Sequence, residues 1–386
     1  MRIALVHDWL DTWRGGENVL AEMVALYPAA DLFALVDFLP EEARERIAGK
    51  RARTSYLQRL PFARTHFRSF LPLMPHAIET LDLASYDLVI SSSHAVAKGV
   101  LTSPRQMHVC YCHSPMRYAW DLREQYLEPG GLGRGLRGAI VRRALDRLRN
   151  WDRAASARVN HFVANSTYIR ERIARCYGRD ATVIYPPVDV DFFTPGAKQP
   201  PPAARTGYVT ASRWVPYKRV DLLAAAFREL PERRLVVVGD GPEAPRVRAA
   251  AGSNVEFVGE VPRERLRELL RGARAFLFAA EEDFGILPVE AQACGTPVIA
   301  YGRGGSLETV RGAQQPAATG LYFTEQRPEA VAAAVRAFDD ALPMIRAADC
   351  RANAERFAAP RFRAELGAFV EDAWARREDL APSGHT

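Results

Sequence analysis

The sequence has few of the features that mark membrane-spanning, secreted or zinc-binding proteins. No apolar run reaches the length of a membrane-spanning helix. The N-terminal stretch MRIALVHDWL has too short an apolar run for a secretory signal, and we expect it to form a first strand. The chain has five cysteines, Cys110, Cys112, Cys176, Cys294 and Cys350. Because their number is odd and their spacing fits no zinc site, we expect buried free thiols in a cytoplasmic protein.

The sequence also has fewer acidic than basic residues. The 52 Lys and Arg exceed the 46 Asp and Glu, which gives a net charge of +6. This balance fits a phosphate-bearing substrate, an anionic membrane surface or nucleic acid. No RNA- or DNA-binding motif is present, so we expect no nucleic-acid partner. The first strand lacks a Gly-x-Gly-x-x-Gly sequence, which disfavours a dinucleotide oxidoreductase.

Apolar segments of strand length alternate with helical segments along most of the chain. This alternation predicts an α/β fold made of two Rossmann-like, doubly wound parallel sheets. Residues 186–206 contain six prolines and mark a boundary, because proline interrupts regular structure. The predicted domains are residues 1–187, completed by a C-terminal helix at about 361–378, and residues 203–360.

The most informative stretch is EEDFGILPVEAQACGTPVIAYGRGG, residues 281–305. It reads as a loop after a strand, a helix with Pro288 in its first turn, and a further buried strand. Such a helix N-terminus can bind an anion at the carboxyl end of a parallel sheet. Glu282 and Glu290, separated by seven residues, can accept hydrogen bonds from sugar or ribose hydroxyls. A solvated acidic loop would show the same two residues, so this spacing alone is a weak signal.

A basic loop follows the first predicted strand of the second half. It contains Arg213 and Lys218, whose fork of donors and point charge both suit a diphosphate. The next strand ends in Gly239-Asp240-Gly241-Pro242. With Ala244, this turn could belong to a dinucleotide fingerprint, but no acidic residue ends the strand that follows.

Together these segments resemble the donor-binding signatures of the retaining glycosyltransferases of family 4, which have the GT-B fold. The resemblance lies in Glu-x-Phe-Gly-x-x-x-x-Glu, a small-residue helix ending in Cys-Gly, and Pro-Val-Ile-Ala, in that order. It covers nearly the whole chain. It implies two Rossmann-like domains facing across a cleft, with the C-terminal helix crossing back to the first domain.

The resemblance also implies a donor site. Arg213 and Lys218 would grip the nucleotide diphosphate, Glu282 would contact the donor sugar, and Glu290 would contact the ribose. The other expected donor-binding residues are Gly15, Gly16, Gly241, Glu260, Val261, Phe284, Gly285, Ile286 and Leu287.

The first half carries the expected acceptor site. The segment HSPMRYAWD, residues 113–121, resembles a subgroup of family 4 that includes bacterial mannosyltransferases of surface-polysaccharide assembly. By this resemblance His113 lies beside the donor sugar and is catalytic together with Glu282, Arg213 and Lys218. Arg117 meets a phosphate of donor or acceptor, or forms an ion pair. Asp8 and Asp11 are expected to face the acceptor.

Two carboxylates could also indicate a retaining glycosidase, in which one acts as the nucleophile. We disfavour this because both glutamates fall in the predicted nucleotide domain with the basic pair. The family resemblance implies same-face attack, in which the leaving phosphate accepts the acceptor's proton. Asp189-Val190-Asp191 could suggest a metal, but it lies in an interdomain signature of the family. We therefore expect no metal and no cofactor besides the nucleotide sugar.

The stretch at residues 44–70 interleaves eight Arg or Lys with aromatic and leucine side chains. A second basic run covers residues 134–150. Both suit an anionic membrane surface, although solvated helix faces would give the same composition. We expect peripheral association with the cytoplasmic face of the inner membrane.

The sequence therefore predicts a retaining, metal-independent hexosyltransferase. The expected donor is GDP-mannose, and the expected acceptor is a glycan or a polyprenyl-diphosphate-linked glycan. The alternatives within the fold are a UDP-sugar transferase and a sugar-nucleotide epimerase. A non-catalytic sugar-nucleotide-binding protein is a further alternative, which a broken Arg–Lys or Glu–Glu set would favour.

Overall fold

The computed structural model describes residues 1–120 and 135–377. The chain divides into two compact units, Met1–Pro187 with Pro360–Thr386, and Val188–Ala359. Each unit contains a parallel sheet flanked by helices, which confirms the predicted α/β class. Three predicted segments lie partly outside the described residues. These are the last residue of segment 113–121, the last residue of the predicted C-terminal helix 361–378, and the first residue of the basic run 134–150.

The elements have the following bounds. The strands are β1 (Ile3–His7), β2 (Asp31–Ala34), β3 (Arg53–Thr54), β4 (Leu88–Ser93), β5 (Met107–Cys112), β6 (His161–Ala164), β7 (Thr182–Val183), β8 (Tyr208–Ala211), β9 (Leu235–Val238), β10 (Val255–Gly259), β11 (Ala275–Phe278), β12 (Val298–Tyr301) and β13 (Gly320–Phe323). The helices are α1 (Gly15–Leu26), α2 (Glu41–Arg44), α3 (Ala63–His66), α4 (Met74–Glu79), α5 (Gly135–Ser156), α6 (Thr167–Tyr177), α7 (Val220–Ala226), α8 (Ala244–Ala250), α9 (Arg263–Gly272), α10 (Ile286–Ala293), α11 (Ser306–Thr309), α12 (Pro328–Ala341), α13 (Ala347–Glu355) and α14 (Ala359–Ala375).

The sheet of the first unit has the strand order β3-β2-β1-β4-β5-β6-β7, with every pair parallel. All residues of β4 and β5 are buried, as expected for central strands covered on both faces. Strand β3 is not predicted by the sequence pattern. It has only two polar residues and pairs with β2 alone, so no apolar run marks it.

The C-terminal helix α14 completes the core of the first unit. Phe362, Leu366 and Val370 are buried in one cluster with Leu5 of β1. The Arg361 guanidinium donates to the Tyr185 carbonyl at 2.8 Å and ties the start of the helix to the same unit. This packing confirms the predicted return of the last helix to the first domain.

The second unit has the strand order β10-β9-β8-β11-β12-β13, which is the doubly wound Rossmann order. This unit begins at Val188, whereas the predicted second domain begins at residue 203. The difference arises because the Val188 amide donates to the Phe357 carbonyl at 2.8 Å, and Arg351 donates to the Val190 carbonyl at 2.6 Å. The proline-rich segment is thus attached to the second unit at its start.

The cysteines lie inside the two units. All five are buried, and Cys110, Cys112, Cys294 and Cys350 are free thiols. Burial raises the pKa of Cys294 and of Cys350 to about 12, so these thiols stay protonated and unreactive. Within residues 1–120 and 135–377, no helix is both long enough and apolar enough to span a bilayer.

Candidate functional site

The predicted donor residues lie at one edge of the second sheet. Glu260 follows β10, Gly241 follows β9, Lys218 follows β8 and Glu282 follows β11, and these four strands are neighbours in the sheet. The carboxyl ends of parallel strands meet at a single edge, where open α/β sheets bind their ligands. The strand order therefore brings four segments that are distant in sequence to one side of the unit.

The loop after β8, which carries Arg213, is held against the loop after β9. The Trp214 amide donates to the Asp240 carbonyl at 2.8 Å, and the Trp214 indole is fully buried. A Cβ atom at Gly241 would lie 2.3 Å from the Trp214 carbonyl oxygen. Glycine at 241 is thus required by the close approach of the two loops, and this packing fixes the backbone on both sides of Arg213.

The structure brings two of the predicted catalytic residues into direct contact. The Lys218 ammonium forms an ion pair with Glu282 Oε1, and each side chain is 17% exposed. The Glu282 backbone is fixed as well, because its carbonyl accepts the Gly305 amide at 2.8 Å and it pairs with Gly304. The pair places an ammonium and a carboxylate side by side at the carboxyl end of β11.

Helix α10 begins immediately after this pair. Gly285 is its N-cap with a φ of +89°, a value that favours glycine. The first-turn N–H groups, those of Ile286 and Leu287 included, have no acceptor within their own helix and can bind an anion. Glu290 lies one turn further and is half-buried.

Phe284, a predicted donor-binding residue, lies in the loop before α10. Its side chain is buried and packs edge-on against Phe357, with ring centroids 5.2 Å apart. Any donor contact at this position therefore comes from the backbone. The side chain of Phe284 helps to hold the loop before α10, and the predicted donor contact at this position stays a prediction.

Glu260 and Val261 follow β10 at the outer end of the same edge. The Gly239 amide donates to the Gly259 carbonyl at 2.7 Å, which joins the ends of β9 and β10. Glu260 is exposed and Val261 is half-buried. Their predicted contact with the base stays a prediction.

The first unit gathers histidines at the carboxyl ends of β1, β4 and β5. Ser92 Oγ lies 3.1 Å from His7 Nδ1 and 2.8 Å from His113 Nε2, so one hydroxyl joins two imidazoles. A Cβ atom at Gly16 would lie 3.8 Å from His113 Nε2. The Gly15-Gly16 turn therefore brings the N-terminus of α1 close to His113.

Desolvation, and then the charge of His94, lower the pKa of His113 to about 3. The imidazole is consequently neutral at physiological pH. It can form hydrogen bonds with a sugar, but it lacks the second proton of an imidazolium, which would be needed to act as an acid.

Asp8 organises a loop instead of facing a ligand. Its two carboxylate oxygens accept four backbone N–H groups, from residues 94–97, at 2.6 to 3.0 Å. Burial opposes the ionised form, but the charge and hydrogen bond of His94 lower the pKa of Asp8 below its usual range. The carboxylate is buried and its oxygens are occupied, so we assign Asp8 a positioning role in place of the predicted acceptor contact.

Asp11 and Arg117 also lie after the strands of this edge. Asp11 Oδ2 accepts a hydrogen bond from Arg68 at 2.6 Å, which links the loop after β1 to the basic stretch. Arg117 is half-buried, and its carbonyl accepts the Trp120 amide at 3.3 Å. Their contacts with an acceptor stay predictions.

Sequence reasoning missed four members of this cluster: His7, Glu17, Ser92 and His94. Glu17 lies in the first turn of α1, and its Oε1 is 3.7 Å from His7 Nε2. The positions of the other three residues in the chain could have identified them. His7, Ser92 and His94 stand at or just after the last residues of β1 and β4, where parallel strands present side chains to ligands.

Asp189, which could suggest a metal site, has other partners. Its Oδ2 accepts from Arg263 at 2.7 Å, and its Oδ1 accepts the Phe192 amide at 3.2 Å. In the part of the chain that the structure describes, no three His, Cys, Asp or Glu residues are grouped as metal ligands. Metal independence of the reaction stays a prediction.

Two Rossmann-like units with these loops define the GT-B class of glycosyltransferases. Residues 13–192 match Glycosyltransferase Family 4, and residues 197–356 match Glycosyl transferases group 1. The first half of the chain therefore carries a Glycosyltransferase Family 4 domain and the second half a Glycosyl transferases group 1 domain, as the sequence motifs predict.

Similar proteins share the class but differ in substrate. A D-inositol 3-phosphate glycosyltransferase 2 of Catenulispora acidiphila is 32% identical over 252 residues, 57% of each chain. A GDP-mannose-dependent monoacylated alpha-(1-6)-phosphatidylinositol monomannoside mannosyltransferase of Corynebacterium glutamicum is 34% identical over 171 residues, 38% of this chain and 45% of that protein. The aligned segments thus span about half the length of these relatives. The structure of Anabaena Alr3699/HepE in complex with UDP-glucose aligns with 96% of this chain and all of its own, with a TM-score of 0.67 and 18% identity.

Proposed function

We propose that the protein is a retaining, metal-independent glycosyltransferase that moves mannose from GDP-mannose to a glycan or lipid-linked acceptor. It would act in polysaccharide or glycolipid synthesis. The observation that carries this proposal is the contact of Lys218 with Glu282 directly before the N-terminus of α10. Cationic, carboxylate and amide groups at one sheet edge match the diphosphate, hydroxyl and phosphate groups of a nucleotide sugar.

The proposed mechanism uses the basic groups to stabilise the leaving diphosphate. Arg213 and Lys218 would offset the negative charge that develops as the glycosidic bond breaks, which is the main electrostatic demand of the reaction. Glu282 would accept a hydrogen bond from the sugar. A carboxylate already paired with an ammonium is a poor nucleophile, so we propose same-face attack in which the leaving phosphate takes the acceptor's proton.

The same residue set would bind a UDP-sugar or serve a sugar-nucleotide epimerase. The mannosyltransferase relative favours GDP-mannose, whereas the structural neighbour holding UDP-glucose keeps the UDP alternative open. A thermal-shift panel of GDP, UDP and ADP, each with and without magnesium, separates the donors, because a ligand raises the melting temperature by mass action. We expect a shift with GDP that is independent of magnesium. A shift with UDP alone would overturn the donor, and no shift at all would favour a protein that does not bind sugar nucleotides.

Metal independence has its own test. We expect transfer to continue in EDTA, because the proposed neutralisation of the diphosphate relies on Arg213 and Lys218. Loss of transfer in EDTA that manganese restores would contradict this part of the proposal.

We also propose that residues 59–73 dock on an anionic membrane, where a lipid-linked acceptor would lie. Much of the basic stretch 44–70 is neutralised locally. Arg44 is buried against Asp37 at 2.9 Å, and Arg51 pairs with Glu41 at 2.7 Å.

The remaining exposed side chains mix cationic and apolar groups. Phe62 is 78% exposed and Leu73 is 45% exposed, and Arg59 and Arg64 are exposed nearby in sequence. Arg68 joins this segment to the loop of Asp11. Apolar groups that enter the interface, flanked by cations that meet anionic headgroups, are typical of peripheral membrane binding.

Liposome co-sedimentation tests this docking. Vesicles rich in phosphatidylserine should bind the protein at low salt. The double variant R59A/R64A should weaken binding, since each cation contributes about 1 kcal/mol near an anionic surface. Arg51→Ala, outside the segment, is the control. Failure of the unmodified protein to bind these vesicles would refute the docking and leave the transferase proposal intact.

A further inference from the structure

We propose that Ser92 is a positioning residue that sets the tautomer of His113. The inference rests on the proposed function, and on the expectation from the family resemblance that His113 lies beside the donor sugar. Ser92 does not need to touch any ligand. It would act by deciding which nitrogen of His113 carries the proton, and hence whether that imidazole accepts or donates a hydrogen bond.

A chain of polar groups leads through the first unit to His113. Glu17 Oε1 is 3.7 Å from His7 Nε2, close enough for the carboxylate charge to orient the imidazole. His7 Nδ1 is 3.1 Å from Ser92 Oγ, and Ser92 Oγ is 2.8 Å from His113 Nε2. His7 and Ser92 are fully buried and Glu17 is nearly so, which keeps the chain out of water.

The carboxylate at the start of the chain is held in its ionised form. Burial alone would raise the pKa of Glu17, but its interaction with the nearby His7 imidazole lowers it. Its second oxygen, Oε2, accepts the Arg14 amide at 2.8 Å. An ionised carboxylate only accepts hydrogen bonds, so the proposal places the single imidazole proton of His7 on Nε2, the nitrogen that faces Glu17.

The donor and the acceptor in the hydrogen bonds of Ser92 with His7 and His113 then follow from the number of hydrogens that each group carries. With Nε2 protonated, His7 Nδ1 is a lone pair and accepts the single hydrogen of the Ser92 hydroxyl. The Ser92 oxygen is left to accept, and it accepts from His113 Nε2. His113 is thereby fixed with its proton on Nε2. Its Nδ1 becomes a hydrogen-bond acceptor suited to a sugar hydroxyl.

The neighbouring residue of β4 provides a matched control. Ser91 Oγ lies 2.8 Å from His108 Nε2, and both side chains are fully buried. Successive residues of a strand face opposite sides of the sheet, so this serine–histidine pair lies on the other face from Ser92. Ser91→Ala therefore removes a hydrogen bond of the same kind and length without touching the chain to His113.

The tautomer can be read by two-bond ¹H–¹⁵N correlation NMR of the full chain with ¹⁵N-labelled histidine. Signals of His113 are identified by their absence in His113→Asn. We expect a protonated Nε2 and an unprotonated Nδ1 in the unmodified protein, in Ser92→Thr and in Ser91→Ala. Ser92→Ala should shift His113 to a mixture of tautomers. A proton on Nδ1 in the unmodified protein, or an unchanged spectrum in Ser92→Ala, would overturn the proposal.

Kinetics with GDP-mannose complete the test. Ser92→Ala should lower kcat by about five- to tenfold, the usual weight of one hydrogen bond, with Ser92→Thr restoring it. Ser91→Ala should keep the activity of the unmodified protein, and an equal loss in both alanine variants would overturn the positioning role. Absence of transfer by the unmodified protein would instead count against the proposed function, since the tautomer is measured without substrate.

Discussion

Lys218 and Glu282 neutralise each other at the sheet edge of the second unit. A donor that arrives there brings a diphosphate for the ammonium and hydroxyls for the carboxylate. The contact therefore keeps both charged side chains in place when no ligand is bound. When the donor binds, Lys218 can pair with the diphosphate and Glu282 with a hydroxyl instead of with each other.

Lys218→Ala should weaken the binding of a nucleoside diphosphate by about 10- to 100-fold. It removes one charge-assisted hydrogen bond, which contributes about 1.5–3 kcal/mol, and leaves Glu282 without its partner. Isothermal titration with GDP measures the change. Arg246→Ala is the control, because Arg246 is 62% exposed and pairs with Asp221 in the same unit. Equal affinities of Lys218→Ala and the unmodified protein would contradict the role of Lys218.

His108 makes the first unit sensitive to acid. Burial, and then the charge of Arg158, lower the pKa of His108 to about 3, against an ordinary value of 6.5. Between these values the unfolded chain binds a proton that the folded chain does not. Stability is therefore greatest above pH 6.5 and is lost as the pH falls towards 3, by up to about 1.4 kcal/mol per pH unit from this residue.

Urea unfolding of the first unit at pH 7.5, 6 and 5 tests this assignment. The free energy of unfolding should fall with pH in the unmodified protein. In His108→Asn, which cannot titrate, the fall should be shallower. Parallel pH profiles for the two proteins would show that His108 does not contribute.

At the scale of elements, the junction of β11 with α10 depends on glycines of the following loop. A Cβ atom at Gly305 would lie 2.3 Å from Phe284 Cα and 2.5 Å from its carbonyl oxygen. The backbone of the two loops would have to separate to admit it. The loop that holds Glu282 is consequently built by close backbone packing as well as by the side chains that bind ligand.

Gly305→Ala should destabilise the second unit by about 1–3 kcal/mol, the usual cost of overpacking, and should weaken GDP binding. Gly272→Ala is its matched control, because a Cβ atom there meets no heavy atom within 4 Å. Thermal unfolding with and without GDP measures both effects. The account of this loop fails if Gly305→Ala melts and binds like the unmodified protein.

Sequence patterns predicted the strands that are apolar runs, and missed one short polar strand. Strands such as β4 and β11 are apolar runs because helices cover the sheet. Strand β3 is polar and lies at a sheet edge, so no periodicity marks it. The donor motif was predictable because its residues follow strands within one short segment.

The chain from His7 through Ser92 to His113 could not be predicted in the same way. It depends on β4 lying between β1 and β5, and a single sequence does not fix the order of strands in a sheet. Asp8 illustrates the same limit. Its residue type and position suggested a ligand contact, but the loop at residues 94–97 occupies its carboxylate.

At the scale of the whole molecule, the last helix belongs to the first unit although the second unit precedes it in sequence. Leu366→Ala should lower the free energy of unfolding of the first unit by about 2–5 kcal/mol, because Leu366 is fully buried in its core. Urea unfolding measures this. Glu365→Ala should change it by less than about 1 kcal/mol, because Glu365 is 46% exposed and pairs with Arg361 one turn away. Equal effects of the two variants would contradict the packing of α14.

Transfer of ¹³C-labelled mannose from GDP-mannose to a polyprenyl-diphosphate-linked saccharide, in EDTA, tests the central proposal most directly. The one-bond C1–H1 coupling in the product reports its anomeric configuration. Because the mannose of GDP-mannose is α-linked, a retaining enzyme gives an α-linked product. We predict that product, formed without added metal. A β-linked product, or no transfer from GDP-, UDP- or ADP-sugars, would contradict the proposal.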